Sequence, residues 1–309
     1  MYTPKCDVFS LGSYPHKDAT AASRRLLKRP EILLHWPQLP KRSPHERLIE
    51  QTYASLLASA QKKHGFPRGS ASGWNATWRL LKSRKGEVFK TQIAGPVTLF
   101  NKLHSTSTAQ SELHHYIRYW LDHAYWQIDQ IKDRGYKPLI VLDEPLLPNY
   151  MGSPGSQKAR RITKLLRSIV VRLRRRGAQV GIHCCNRVSP ATLIGFGTDL
   201  IHFDAHYFPT QISRARGELQ KFISDGGIIA WGIIPTDGTL TKAAEVRLEK
   251  TFSDLLASLE TRGLPLRTVL GQSMVAPTCG TSQLTVEQSE RVIDFALSLS
   301  RSLKTRFKL

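Results

Sequence analysis

The chain has 309 residues, 40% of them hydrophobic and 22% charged, with 45 Lys and Arg against 24 Asp and Glu for a formal net charge of +21. That length and apolar content provide one large core and fit a single α/β barrel, 1–309, better than two compact domains. No run of about 18 apolar residues and no charged-then-apolar leader occurs, and the four cysteines have no framework spacing. The expectation is therefore a cytoplasmic chain in a reducing compartment, without a membrane span or a disulfide-stapled fold.

The positive charge invites an anionic partner: nucleic acid, an anionic membrane or an acidic protein. Its densest stretch is 158–176, where Ile162, Leu165, Leu166, Ile169, Val170 and Leu173 keep helical spacing and Arg and Lys fill the other face. No zinc-finger spacing, RNA-binding signature or helix-turn-helix pattern accompanies it. A solvated face of an outer helix is the expectation, with no dedicated nucleic-acid site.

In chain order, 7–13 reads as a first strand in which Gly12 and Ser13 offer backbone N–H groups and a hydroxyl to a carboxylate. Residues 19–27 look helical, the proline-punctuated stretch 31–44 reads as an ordered loop over a barrel mouth, and 46–63 is helical again. Strand signals follow at 78–81 and 88–94, the latter running into Gly95-Pro96-Val97-Thr98-Leu99. A long helix over 111–134 carries His114, His115, Trp120, His123 and Trp126 at spacings that suit packing and surface positions rather than a cofactor box. Residues 138–145 form the cleanest buried strand and end on Asp143 and Glu144. After the basic helix come strands at 178–182, 198–204, 227–233 and 268–272, separated by helical segments 189–195, 209–224 and 242–262, and 286–304 is a last helix. Eight strands separated mostly by helices predict a (β/α)8 TIM barrel with an N-terminal extension over the mouth.

The sequence Ile182-His183-Cys184-Cys185-Asn186 lies at a strand end. Residues two apart on a strand share a face, so His183 and Cys185 point together and Cys184 points away. An imidazole and a thiolate so placed are half of a tetrahedral zinc site, and Asp204 and Cys279, at other strand ends, complete a His, Cys, carboxylate, Cys set. Two unrelated buried residues are the competing reading of the His-x-Cys pair taken alone. Against it, Ser13, Asp143, His183, Cys185, Asp204 and Cys279 all sit at or just past the C-terminal ends of expected strands, the rim on which barrel enzymes build their sites.

These residues resemble the catalytic barrel of cobalamin-independent methionine synthase, within the uroporphyrinogen-decarboxylase-like superfamily. The shared motifs are Gly12-Ser13-Tyr14-Pro15, the GPVT turn from Gly95 to Thr98, Asp143-Glu144-Pro145, the His183 and Cys185 pair, an acid on the next strand, and Pro277-Thr278-Cys279-Gly280, spread over about residues 7 to 295. The resemblance implies a zinc ion held by His183, Cys185, Asp204 and Cys279 that carries the sulfur of homocysteine. It implies that Leu11 and Ser13 hold the substrate carboxylate and Asp143 its ammonium. Apart from the resemblance, Glu46, or Glu50, lies on an expected helix that could cover the mouth and reach that ammonium. The expected activity is methyl transfer to homocysteine, giving methionine.

Three departures qualify that expectation. The chain has no room for the family's second barrel, which helps bind the folate donor. The zinc-binding Glu appears as the shorter Asp204, and the family's Asp-x-His after the strand that here spans 227–233 reads Pro235-Thr236-Asp237, which leaves Asp237 as the candidate for handling a proton. A short single-barrel form taking its methyl group from methylcobalamin, on an acidic corrinoid protein that the basic surface could dock, fits these departures. A methylcobamide-dependent transferase for another thiol, and a non-catalytic zinc- or nucleic-acid-binding barrel, are the alternatives.

Overall fold

The computed structural model describes residues 2–81, 86–104, 112–153 and 155–309. Its centre is a six-stranded, all-parallel sheet in sequence order: β1 (Val88–Ala94), β2 (Lys137–Asp143), β3 (Gln179–Cys184), β4 (Leu200–Asp204), β5 (Ile228–Ile234) and β6 (Ser273–Pro277). Almost every residue of these strands is buried, as expected for a sheet covered on both faces.

The sheet is an α/β half-barrel of six strands, not eight. Two irregular segments lie between β6 and β1. Val8 bridges both Val275 of β6 and Ile32, Ser13 bridges Gln38, and His35 bridges Lys90 of β1. Backbone bonds from Phe9 N to Val275 O (2.8 Å), Leu33 N to Val8 O (2.9 Å) and Lys90 N to Leu34 O (2.8 Å) carry the connection around. The stretch 31–44, expected to be a loop over the mouth, is thus partly wall. Pro37, Pro40 and Pro44 lack the N–H that a regular ladder needs, which keeps this wall from becoming a strand.

Two expected strands are helices. Residues 78–81 fall at the end of the helix Ser72–Leu80, where Trp78 stacks on Phe89 of β1 at 4.4 Å between ring centroids. Residues 268–272 overlap the helix Leu266–Gly271, and the strand begins at Ser273. Both were short apolar runs, whose periodicity cannot separate a buried helix from a strand.

The helices cover the outside. Ala19–Leu27 is capped by Asp18, and Val286–Phe307 opens on a capping box of Thr285 and Gln288. The long helix spans Glu112–Lys132; Ser111, its expected first residue, lies outside the described residues. The expected helix at 209–224 is two, Pro209–Arg214 and Arg216–Ser224. The basic helix Gln157–Arg175 buries Leu166, Ile169, Val170 and Leu173 against the sheet and leaves its Lys and Arg side chains exposed. No helix among the described residues is long and apolar enough to cross a membrane.

Alternation along the strands separates two cores. Phe9, Leu11, Leu33, Val88, Leu139, Val141, Leu200, Ile228, Ala230, Met274 and Ala276 pack together on one side of the sheet. Ile93, Ile140, Leu142, Ile182, Ile201 and Val275 pack against the helices on the other.

The turn after β1 depends on a glycine. The Glu144 carboxylate, fully buried, accepts from Val97 N (2.9 Å), Thr98 N (2.7 Å) and Thr98 Oγ1 (2.8 Å), capping the helix Pro96–His104. A Cβ on Gly95 would lie 2.2 Å from the Glu144 carboxyl carbon. Glu144 is therefore structural. Gly95→Ala should lower unfolding free energy by about 1–3 kcal/mol, read by urea denaturation; an unchanged midpoint would mean that Glu144 can move aside.

Candidate metal centre

The parallel register brings three polar residues into one row. Asp143, the last residue of β2, pairs with His183 of β3, and His183 pairs with His202 of β4. They share the inward face with Leu139, Val141 and Leu200, since residues two apart along a strand point the same way. Cys185 follows His183 by two residues, just past β3, and Cys279 follows β6 by two.

The ligand atoms of His183, Cys185 and Cys279 lie within 4.8 Å of one another. In a tetrahedral zinc site, bonds of about 2.3 Å to sulfur and about 2.0 Å to nitrogen put ligands roughly 3.5–3.8 Å apart, so small side-chain movements would suffice. Two sulfurs and one imidazole are a donor set suited to zinc, and three protein ligands leave a fourth position for a substrate. The two thiols lie beside each other, and that contact pushes the Cys185 thiol up and holds the Cys279 thiol down. His183 is 2% exposed, and burial, with His202 and Lys90 adding to it, pushes it well below the usual histidine range, leaving a neutral ring.

Around this group sit polar atoms without partners. Asp143 Oδ1 is buried with no hydrogen bond and lies 3.6 Å from His183 Nε2. Burial pushes the Asp143 carboxyl up to about 7, against the opposing pull of Lys90. Lys90, fully buried on β1, donates to Leu11 O (2.9 Å) and Gln92 Oε1 (2.7 Å), and burial lowers it to about 7 against the pull of Asp143. Gln92 Nε2 has no partner.

The remaining sequence candidates are distributed as follows. Ser13 packs against the loop that carries Cys279: Thr281 N donates to Ser13 O (2.9 Å), and a Cβ on Gly280 would lie 2.9 Å from that of Ser13. Leu11 presents its carbonyl to Lys90. Asp204 lies outside the three-ligand group among the described residues; its Oδ1 accepts from His206 N (3.0 Å) and Tyr207 N (2.7 Å). Glu46 is fully buried, with Oε1 on Arg42 (2.8 Å) and Oε2 without a partner. Asp237 accepts from Thr239 N (3.0 Å), Thr239 Oγ1 (2.5 Å) and the Tyr207 hydroxyl. These bonds outweigh the upward push of burial and hold Asp237 at about 2, so at neutral pH it has no proton to give. Cys184 is buried in the outer core, with Sγ 3.8 Å from Asn186 O.

Sequence reading passed over Lys90 and His202. Both carried a signal: Lys90 is the one charged residue of the strand 88–94, and His202 shares the face of Asp204 two residues before it.

No protein-family model and no curated protein matches the chain. Among solved structures, a Listeria monocytogenes protein inferred to be a vitamin-B12 independent methionine synthase is similar at 17% identity and TM-score 0.46, covering 70% of this chain and 64% of that one. A methyltransferase from Methanosarcina mazei is similar at 13% identity and TM-score 0.44, covering 72% and 61%. The chain spans less than two thirds of the length of either neighbour. At that distance neither says what this chain does.

The donor set makes a direct prediction. Metal-free protein titrated with zinc against a chromophoric chelator should take up one ion per chain. Cys185→Ser and Cys279→Ser should each weaken uptake by at least about 100-fold, and affinity should fall as pH falls because the thiols must release their protons. Uptake indifferent to both substitutions would place the metal elsewhere.

Proposed function

We propose that the chain is a zinc-dependent thiol methyltransferase that methylates homocysteine, with a methylated corrinoid as donor. The observation that carries this reading is the convergence of His183, Cys185 and Cys279 at the strand ends, with a partnerless carboxylate oxygen of Asp143 beside them. When bound by these three side chains, zinc supplies a Lewis acid that keeps a substrate thiol ionised at neutral pH, where a free thiol is mostly protonated.

The chain's own groups account for the amino-acid end of the acceptor. Asp143 Oδ1 offers an ammonium a hydrogen-bond and charge partner, which would favour the ionised carboxylate over the neutral form that burial promotes. Ser13, held against the Cys279 loop by Thr281, lies on the adjoining wall. Fixing both ends of the amino acid would aim its sulfur at the incoming methyl group. In the transfer, the sulfur–carbon bond forms as the donor–carbon bond breaks, and the donor keeps that bond's electron pair. Asp237, ionised and occupied by Thr239 and Tyr207, supplies no proton to the leaving donor. Without Asp237 as an acid, a donor that departs unprotonated, as a corrinoid does, asks less of the site than a folate whose nitrogen must gain a proton.

An acidic donor protein would meet Lys158, Arg160, Arg161 and Lys164, exposed in the first turns of the basic helix and in no ion pair among the described residues. Docking by these charges should weaken steeply with ionic strength. A rate of transfer from a protein-bound donor that ignored salt would remove this part of the proposal.

The test is turnover. Zinc-loaded protein given L-homocysteine and methylcobalamin should form methionine, detected by mass spectrometry. Asp143→Asn should raise KM for homocysteine at least about tenfold, as expected on losing a charged partner, with little effect on a thiol lacking the amino group. Equal turnover of homocysteine and 2-mercaptoethanol by the wild type would overturn the amino-acid acceptor. Absence of transfer to any thiol would overturn the activity.

A further inference from the structure

We infer that His202 is a positioning residue that fixes the tautomer of His183 and leaves the His183 Nε2 lone pair as that ring's free ligand atom. This rests on the metal reading above and adds to it a residue that supports the site from beneath.

The inference follows from which atoms can donate. The Pro277 carbonyl only accepts, and it lies 3.0 Å from His202 Nε2, so that nitrogen carries the proton. A neutral ring protonated at Nε2 has its lone pair at Nδ1. His202 Nδ1 lies 2.5 Å from His183 Nδ1. With the acceptor on His202, the donor must be His183 Nδ1–H, and the His183 lone pair is then at Nε2. Nε2 is the nitrogen on the Asp143 side of the ring, 3.6 Å from Oδ1. The opposite proton arrangement would set two lone pairs against each other or oblige a carbonyl to donate.

The surroundings hold this chain of atoms in place. His202 is fully buried, and its ring stacks on Phe9 at 5.2 Å between centroids. β5 carries one extra residue between Gly232 and Ile234 where it pairs with the end of β6, and from that end the Pro277 carbonyl lies 3.0 Å from His202 Nε2. A Cβ on Gly232 would stand 3.3 Å from His202 Nε2 and 2.5 Å from Phe203 O, so the glycine leaves room for the ring. A second proton on either ring would place a charge in the interior, where His183 is 2% exposed and His202 fully buried. A ligand imidazole whose other nitrogen donates to an acceptor is oriented and made more basic, and loss of that acceptor typically costs 10–100-fold in metal affinity.

The experiment has two readouts that do not depend on turnover. Long-range 1H–15N correlation spectra of metal-free protein labelled at histidine should show His183 protonated at Nδ1 and His202 at Nε2. Zinc affinity, measured by chelator competition, should fall about 10–100-fold in His202→Leu. It should recover to within a few-fold of wild type in His202→Asn, whose amide oxygen can take the place of Nδ1 as acceptor. His183 protonated at Nε2 in the wild type, or equal zinc affinity in wild type and His202→Leu, would overturn the inference. If His202→Leu does not fold, the wild-type spectrum and the asparagine variant decide it: a low affinity in a folded His202→Asn with the expected wild-type tautomers would limit His202 to packing. Wild-type protein that binds no zinc but shows the expected tautomers would overturn the metal reading and not the proton arrangement.

Discussion

Because side chains on a parallel strand alternate and neighbouring strands stay in register, the inward face of the sheet is a set of rows in which paired residues of adjacent strands stand side by side. The row at the end of β2 holds Asp143, His183 and His202, side by side. One step further up, past the strand ends, come Cys185 and Cys279. The row below is mostly apolar, with Val141 and Leu200 packed beneath. A slip of one residue in β3 would turn His183 out toward the helices and bring Cys184 inward, and the ligand group would not exist. The whole candidate site therefore depends on pairing that the surrounding apolar core enforces.

The same burial that secures the register makes the site costly. A carboxyl and an ammonium, Asp143 and Lys90, face the interior, and each is pushed toward its neutral form by burial and back toward its charged form by the other. Such pairs contribute little to stability when compared with apolar residues of similar volume. Partnerless polar atoms at Asp143 and Gln92 lie on the same inward face. Local rules of good packing are broken where a ligand can supply the missing partners, as happens at functional sites. Glu144 shows the contrast: it is fully buried, but its carboxylate accepts from the turn that follows β1, and it is spent on structure.

Much of this was legible in the sequence, and the limits have physical causes. His183, Cys185 and Cys279 could be singled out because strand alternation and position at a strand end need only local pattern. Five strands were found where apolar runs were bounded by turn residues, and the sixth was missed because Val269 and Leu270 of the preceding helix read as a strand just ahead of Ser273 to Pro277. The wall built by residues 31–38 was hidden by Pro37 and the flanking Pro30 and Pro40, which make a hydrogen-bonded segment read as a loop. Asp204 was grouped with the ligands because it ends a strand on the inward face, yet its Oδ1 is turned onto the amides of His206 and Tyr207, a side-chain choice that spacing does not encode. His202 and Lys90 were visible as residues but mute as partners. What gives them meaning is the strand next door.

The central claim is that His183, Cys185 and Cys279 hold a zinc ion with a position open to a substrate sulfur. Zinc-edge X-ray absorption of the loaded protein, recorded before and after adding L-homocysteine, tests it most directly. The account predicts a first shell with two sulfurs and one histidine nitrogen from the protein, which gains a third sulfur on adding homocysteine. A shell that stays the same with and without homocysteine would contradict it and leave the three residues as a closed structural site.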